Sequence, residues 1–279
     1  MEKLQKALSK ARQDRAAQGA APRRAAPDTP AASAAARAPA PSATDAAWAG
    51  LAPIELDDAH LTENMVMTYS ARPDANPFDV LRTKIFLAMR ENGWKRLAVT
   101  SPDVGCGKTT IACNLAVGFA RQREVRAMLF DTDLRRPNIS KVLGCTPEHD
   151  LPQMLSGEVS PQEQFLRLRD NVALSLTRSP VEDPSQVLLA NSTARSLSEV
   201  ETLFDPDIMI FDLPPMLVTD DARAVLKNVD CALIVVRSEK TRMARLDQCE
   251  REIAEYTNVL GVALNDCRNV SREDSHYGY

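Results

Sequence analysis

The chain has 279 residues, 44% of them hydrophobic and 26% charged, with a formal net charge of −4, which suffices for one large domain or two small ones and lacks the basic field that would hold a nucleic acid, so no nucleic-acid partner is expected. No apolar run approaches the roughly 18 residues of a membrane span, Ala232–Val236 being typical of the longest, and Met1–Lys6 has no continuous apolar core of the kind a secretory signal needs. Six cysteines without a C-x-x-C pair, beside three histidines, suggest neither a zinc site nor a disulfide framework, and a cytoplasmic location is expected.

In chain order, residues 1–15 are predicted as a short amphipathic helix. Leu4, Ala7, Leu8 and Ala11 fall at helical spacing, and basic residues outnumber acids. Residues 16–53 hold 18 Ala and 6 Pro, with Trp48 and Leu51 as the large apolar side chains. Such a stretch buries too little surface to offset its ordering entropy and is predicted to be a disordered linker. A domain is expected over 54–265. Strands are predicted at 96–100, 126–130, 172–176, 208–211, 231–236 and 260–264, with helices at 78–91, 108–122, 194–203, 222–228 and 242–256. Near-continuous apolar strands separated by helices predict an α/β fold: a mostly parallel central sheet with helices on both faces. Residues 266–279 form a tail expected to be flexible, carrying Tyr277 and Tyr279. Fully extended, its fourteen residues span about 48 Å, enough to reach a neighbouring subunit.

The segment Ser101-Pro102-Asp103-Val104-Gly105-Cys106-Gly107-Lys108-Thr109-Thr110 joins the first of these strands to a helix and reads as a phosphate cradle. Backbone N–H groups of residues 104–110 (Val104, Gly105, Cys106, Gly107, Lys108, Thr109 and Thr110) can approach an anion at a helix start. Lys108 can reach terminal phosphates, and the Thr109 hydroxyl can ligate Mg²⁺. The strict G-x-x-x-x-G-K-[ST] pattern would place glycine at 102, where this chain has proline. Asp131 and Asp133 follow one strand and Asp212 ends another. In an open parallel sheet these strand ends lie on the side where ligands bind, so the three acids are expected to converge on one Mg²⁺ beside ATP.

The order S-P-D-V-G-C-G-K-T-T (101–110), L-F-D-T-D-L-R-R-P (129–137), I-F-D-L-P-P (210–215) and L-G-V-A-L-N (260–265), ending in a Tyr-bearing tail, resembles the bacterial tyrosine kinases of capsule and exopolysaccharide synthesis in their free-standing form. Residues 183–189, Asp-Pro-Ser-Gln-Val-Leu-Leu, are similar to that family's N-P-x-E-L-L stretch. The resemblance implies a P-loop NTPase fold and an ATP- and Mg²⁺-dependent tyrosine autokinase. Lys108 would stabilise charge on the transferred phosphoryl group. Thr109, Asp131, Asp133 and Asp212 would hold Mg²⁺, and Asp131, with Asp133 as the alternative, would take the proton of an incoming tyrosine. Asn265 matches a position that faces adenine in related ATPases, a turn or cap role being the plainer reading. Tyr277 and Tyr279 would accept phosphate from a neighbouring copy, and the cycle would govern polymer assembly and export. A transmembrane polysaccharide co-polymerase would be the activating partner and would place the protein at the inner face of the plasma membrane. The family's ring-forming E-x-x-R-x-x-R is represented by Asn76, Asp79 and Arg82, so a homo-oligomer would rest on an incomplete motif.

Two other readings use the same residues. One is a spatial-organisation ATPase of the MinD or ParA kind, whose loop carries a second lysine where this chain has Asp103. The other is an ATP-binding partner of a co-polymerase with little kinase turnover.

Overall fold

The computed structural model describes residues 42–267. The predicted helix 1–15, most of the predicted linker and the tail tyrosines lie outside them. In chain order the elements are α1 (Ala43–Ala49), β1 (Ala52–Ile54), α2 (Asp58–Glu63), a 3₁₀ turn (Pro73–Ala75), α3 (Asn76–Asn92), β2 (Arg96–Thr100), α4 (Lys108–Phe119), β3 (Ala127–Asp131), α5 (Ile139–Leu143), α6 (Leu151–Ser156), α7 (Pro161–Gln164), β4 (Leu166–Leu168), β5 (Val172–Ser175), α8 (Pro184–Leu188), α9 (Asn191–Phe204), β6 (Ile208–Asp212), α10 (Asp221–Leu226), β7 (Cys231–Arg237), α11 (Met243–Ala254) and β8 (Asn258–Asn265). All six predicted strands and all five predicted helices are present, with ends shifted by a few residues.

The strands form one eight-stranded sheet in the order β1-β4-β5-β3-β6-β2-β7-β8. Every neighbouring pair is parallel except β4 with β5. Because successive side chains of a strand point to opposite faces, each apolar run feeds two cores. Leu97, Val99, Leu129, Ile208 and Ile210 join one beneath α3 and α4, with Ile85, Ile111 and Phe119. Ala98, Met128, Phe130, Met209 and Phe211 join the other, with Leu155 of α6, Leu197 and Phe204 of α9, and Ile253 of α11. The central strands are therefore apolar throughout, the pattern of a sheet covered on both sides.

The linker boundary requires correction. Residues 42–53 are folded rather than extended tether. Ser42 accepts from the Asp45 N–H at 3.1 Å while the Ser42 N–H donates to the Asp45 carboxylate at 3.0 Å, a reciprocal cap that starts α1. Alanine, which made the stretch look featureless, is the best helix former. Trp48 is 2% exposed. Its indole N–H donates to the Phe204 carbonyl at 2.8 Å, and its ring meets Phe204 edge-on at 5.9 Å. Leu51 is buried as well, and β1 pairs with β4 at the sheet edge. The globular unit thus includes residues 42–53.

The residues aligned with the ring motif are occupied within the subunit. Asp79 accepts from both Arg82 and Arg121, and the buried Arg82 guanidinium lies 5.7 Å from the Phe119 ring centre. Asp79 and Arg82 thus satisfy each other within the subunit.

Replacing Trp48 with alanine removes a buried ring and a buried hydrogen bond, and should cost about 3–5 kcal/mol in urea unfolding. Trp48→Phe should recover most of that loss. A change within 0.5 kcal/mol for the alanine variant would mean that this segment is not part of the cooperative unit.

Candidate active site

The phosphate loop leaves the carboxyl end of β2 and enters α4. Gly107 has φ +90° and Gly105 φ +75°, a backbone region that costs L side chains steric strain. Gly107 is doubly constrained, since a Cβ there would lie 2.1 Å from the Asn265 amide nitrogen. That amide donates to the Cys106 carbonyl at 3.0 Å, so β8 holds the loop through its last residue. Asn265 does not line the cleft over the loop, and its observed role is this contact. The Cys106 side chain is buried, 3.8 Å from the Thr241 hydroxyl.

The pairing of β2 with β6 and of β6 with β3 sets the acids beside the loop. Asp131 and Asp212 are register partners. Thr132, just past β3, donates through its N–H at 3.1 Å and its hydroxyl at 2.7 Å to the Asp212 carbonyl, fixing the two strand ends together. The stretch after β6 docks along the loop: the Thr100 hydroxyl donates to the Pro214 carbonyl at 2.8 Å, and the Met216 N–H donates to the Ser101 carbonyl at 2.8 Å.

Lys108 donates to Asp133 at 2.8 Å. Burial alone would lower its pKa, but Asp212, Asp133 and Asp131 overcome this and leave the ammonium above its ordinary value. The Thr109 hydroxyl donates to Asp212 at 2.6 Å, and the Ile139 N–H donates to Asp131 at 3.1 Å. Burial raises Asp131 well above the usual carboxylate range, and Asp212 adds repulsion. Burial also raises Asp212 to about 6, against the attraction of Lys108 and the Thr109 hydrogen bond.

Among the described residues, no three His, Cys, Asp or Glu side chains come close enough to hold a metal ion by themselves. The ion pair draws Asp133 onto Lys108, which leaves Asp131 and Asp212 as the carboxylates without a cationic partner. A site of two carboxylates and a hydroxyl fits better. Asp131 and Asp212 each keep one buried oxygen with no hydrogen-bond partner, and the other Asp212 oxygen accepts the Thr109 hydroxyl. Mg²⁺ commonly takes one or two protein carboxylates and completes its shell with phosphates and water, so these three residues suit it.

Above the loop opens a cleft of about 600 Å³, with Lys108, Thr109 and Asp133 in its lining and Pro214, Pro215, Val218 and Thr219 on one wall. Asp131 does not line it, being covered by the start of α5. Of the strand-end carboxylates, Asp133 is the one in the cleft lining. Sequence reasoning missed the other wall, made by Arg135, Arg136, Lys141 and Arg178. Arg135 is held by the buried Asp221, whose Oδ1 also accepts the Ser185 hydroxyl at 2.7 Å. The 183–189 stretch thus supports the cleft wall. Asp103 is bound by Arg245 of α11, whose Nε donates at 3.1 Å.

Asp212 must ionise in a place that disfavours its charge. Its pKa is higher folded than unfolded, so there is no penalty below about pH 4, and the loss of stability grows as pH rises toward about 6 and is complete above it. In Mg²⁺-free buffer, Asp212→Asn should be more stable than the wild type by on the order of 2–3 kcal/mol at pH 7.5, the gain vanishing by about pH 4. Urea unfolding at both pH values tests it, and equal effects at both would refute it.

Residues 94–271 match the family described as ParA, NUBPL iron-transfer P-loop NTPase. Tyrosine-protein kinase YwqD of Bacillus subtilis (strain 168) is 27% identical over 215 residues, covering 77% of this chain and 90% of that protein. Tyrosine-protein kinase etk of Escherichia coli (strain K12) is 28% identical over 207 residues, covering 71% of this chain but 27% of that longer protein. The crystal structure of the chimerical protein CapA2B2 superposes with a TM-score of 0.66 at 23% identity, over 78% of this chain and 94% of that one. The chain belongs to the ParA family of P-loop NTPases, and the relatives it resembles over most of its length are bacterial tyrosine-protein kinases.

Proposed function

We propose that this protein is an ATP- and Mg²⁺-dependent protein-tyrosine kinase that phosphorylates Tyr277 and Tyr279 of a neighbouring copy. The observation that carries the reading is the buried Lys108–Asp133 pair at the floor of an open cleft, beside the two carboxylates with spare oxygens. Phosphoryl transfer needs positioning and charge stabilisation rather than a covalent nucleophile, and this arrangement offers both. Glycine-permitted N–H groups and the start of α4 face the phosphates. Lys108 neutralises charge gathering on the transferred group. The tyrosine oxygen bonds to the γ-phosphorus as the bond to the β–γ bridging oxygen breaks, ADP departs, and the phenolic proton passes to Asp133. Magnesium, held by Thr109, Asp131 and Asp212, would supply positive charge toward the phosphates.

The kinase names of YwqD and etk support the tyrosine acceptor. Against a MinD- or ParA-like spatial ATPase stands Asp103, which occupies the place of that group's second loop lysine and is tied to Arg245. The same family likeness supports a role in capsule or exopolysaccharide polymerisation and export with a transmembrane co-polymerase as activator. No helix among the described residues is long and apolar enough to cross a membrane, so on this reading contact with the inner face of the plasma membrane comes through that partner.

Purified protein incubated with Mg-ATP should label with an anti-phosphotyrosine antibody, and Lys108→Met or chelation of Mg²⁺ should reduce the label by at least about 10²-fold. Tyr277→Phe with Tyr279→Phe should remove most of it. No label from the wild type, with a co-polymerase's cytoplasmic segment present, would leave an ATP-binding partner without kinase turnover as the reading.

A further inference from the structure

The cleft carries more positive charge than a nucleotide held by Lys108 and the loop requires. Arg136 and Lys141 line it with exposed side chains, and neither is in an ion pair among the described residues. Arg178 lines it too; its backbone N–H donates to Asp150 at 2.7 Å, its Nε lies 3.4 Å from the same oxygen, and 45% of its side chain stays exposed. These differ from Arg135 on the same wall, which Asp221 engages. A second hollow of about 380 Å³ adjoins the cleft. It shares Lys141 and Arg178 with it and continues along Ser140, Gly144, Cys145 and Thr146. The cleft therefore opens on one side into a groove whose entrance bears Arg136 and Lys141, unpaired among the described residues, and Arg178, loosely paired with Asp150.

The tail carries a local pair of acids between Arg272 and the tyrosines, in a stretch (268–279) whose side chains have no net charge. Glu273 and Asp274 stand side by side, three to four residues before Tyr277, in Glu273-Asp274-Ser275-His276-Tyr277. Extended chain advances at most about 3.3–3.6 Å per residue, so these carboxylates trail the tyrosine by roughly 10–14 Å. On a peptide whose Tyr277 meets Asp133, the acids therefore lie beyond the floor, on the scale of the adjoining groove that shares Lys141 and Arg178 with the cleft.

We propose that Arg136, Lys141 and Arg178 form an acceptor-recognition subsite for the Glu273–Asp274 segment of a second copy's tail. The subsite selects tyrosines preceded at three to four residues by acids, and it sets acceptor affinity rather than the rate of transfer. Partly exposed charges of this kind govern encounter and specificity, with a marked dependence on salt. The inference rests on the kinase reading above and adds to it what is recognised around the tyrosine.

The test uses full-length chains in trans. Lys108→Met serves as acceptor and the Tyr277→Phe/Tyr279→Phe variant as enzyme. Adding Arg136→Glu and Lys141→Glu to the enzyme should raise the KM for the acceptor by about tenfold or more, leaving kcat within about threefold and the KM for ATP unchanged. Adding Glu273→Lys and Asp274→Lys to the acceptor should produce a similar loss with the original enzyme and should restore KM when both partners carry reversed charge. A rise confined to the KM for ATP would assign the cations to the nucleotide and overturn the proposal. So would a loss confined to kcat, or a failure of the reversed pair to recover. No transfer from the original enzyme would overturn the kinase reading, and this proposal with it. Binding of a synthetic 268–279 peptide to the Lys108→Met chain gives a readout independent of turnover. It should weaken about tenfold with Arg136→Glu/Lys141→Glu and with salt raised from 50 to about 300 mM, and an affinity indifferent to both would equally exclude the subsite.

Discussion

One buried ammonium faces three buried or nearly buried carboxylates at the ends of β3 and β6 and the start of α4, and the rest of the molecule is arranged around that imbalance. Charges withdrawn from water are costly unless paired, and only Asp133 has Lys108 as a direct partner. Asp131 and Asp212 answer with raised proton affinity and with oxygens left free of any bond. The same excess charge that weakens the protein without a cation makes the site receptive to one. Stability and activity oppose each other here in the manner common to polar centres held out of solvent.

Only a particular strand order can build such a centre. Placing β6 between β3 and β2 sets Asp131, Asp212 and the phosphate loop side by side. Parallel direction brings their carboxyl ends to one side, with the first turn of α4 facing the same space. The two cores keep this geometry stiff. Phe130 and Phe211, immediately before the two acids, stack at 4.5 Å between ring centres, so the residues that carry charge stand on residues that cannot easily shift.

Much of this was legible in the chain because the central strands are buried on both faces and read as uninterrupted apolar runs. The loop and the strand-end acids were legible for a related reason: their chemistry confines them to narrow residue types at fixed positions. Residues 42–53 were not, since alanine and proline imitate low complexity. There the signal was the Ser42-x-x-Asp45 cap followed by Trp48, which a count of residue types averages away. β4 escaped because a strand of three residues is too short to carry a period. The distribution of work among the acids also lay beyond the sequence, which places Asp131 and Asp133 two positions apart without telling which is covered by α5. Nor could it join Arg136 and Lys141 to Arg178, which the fold brings to one rim from a loop, the helix α5 and the stretch after β5.

The strand order has a consequence for how the two ends of the folded unit meet other molecules. β1, which follows the Trp48 anchor, is the outermost strand on one side, and β8, which leads into the tail, is outermost on the other. With neighbouring strands about 4.8 Å apart, the two edges of the eight-stranded sheet lie roughly 30 Å apart. Molecules that meet the two margins of the sheet therefore approach from opposite flanks and need not compete for space. The sheet acts as a spacer between unlike margins, a three-residue strand on one side and an eight-residue strand on the other.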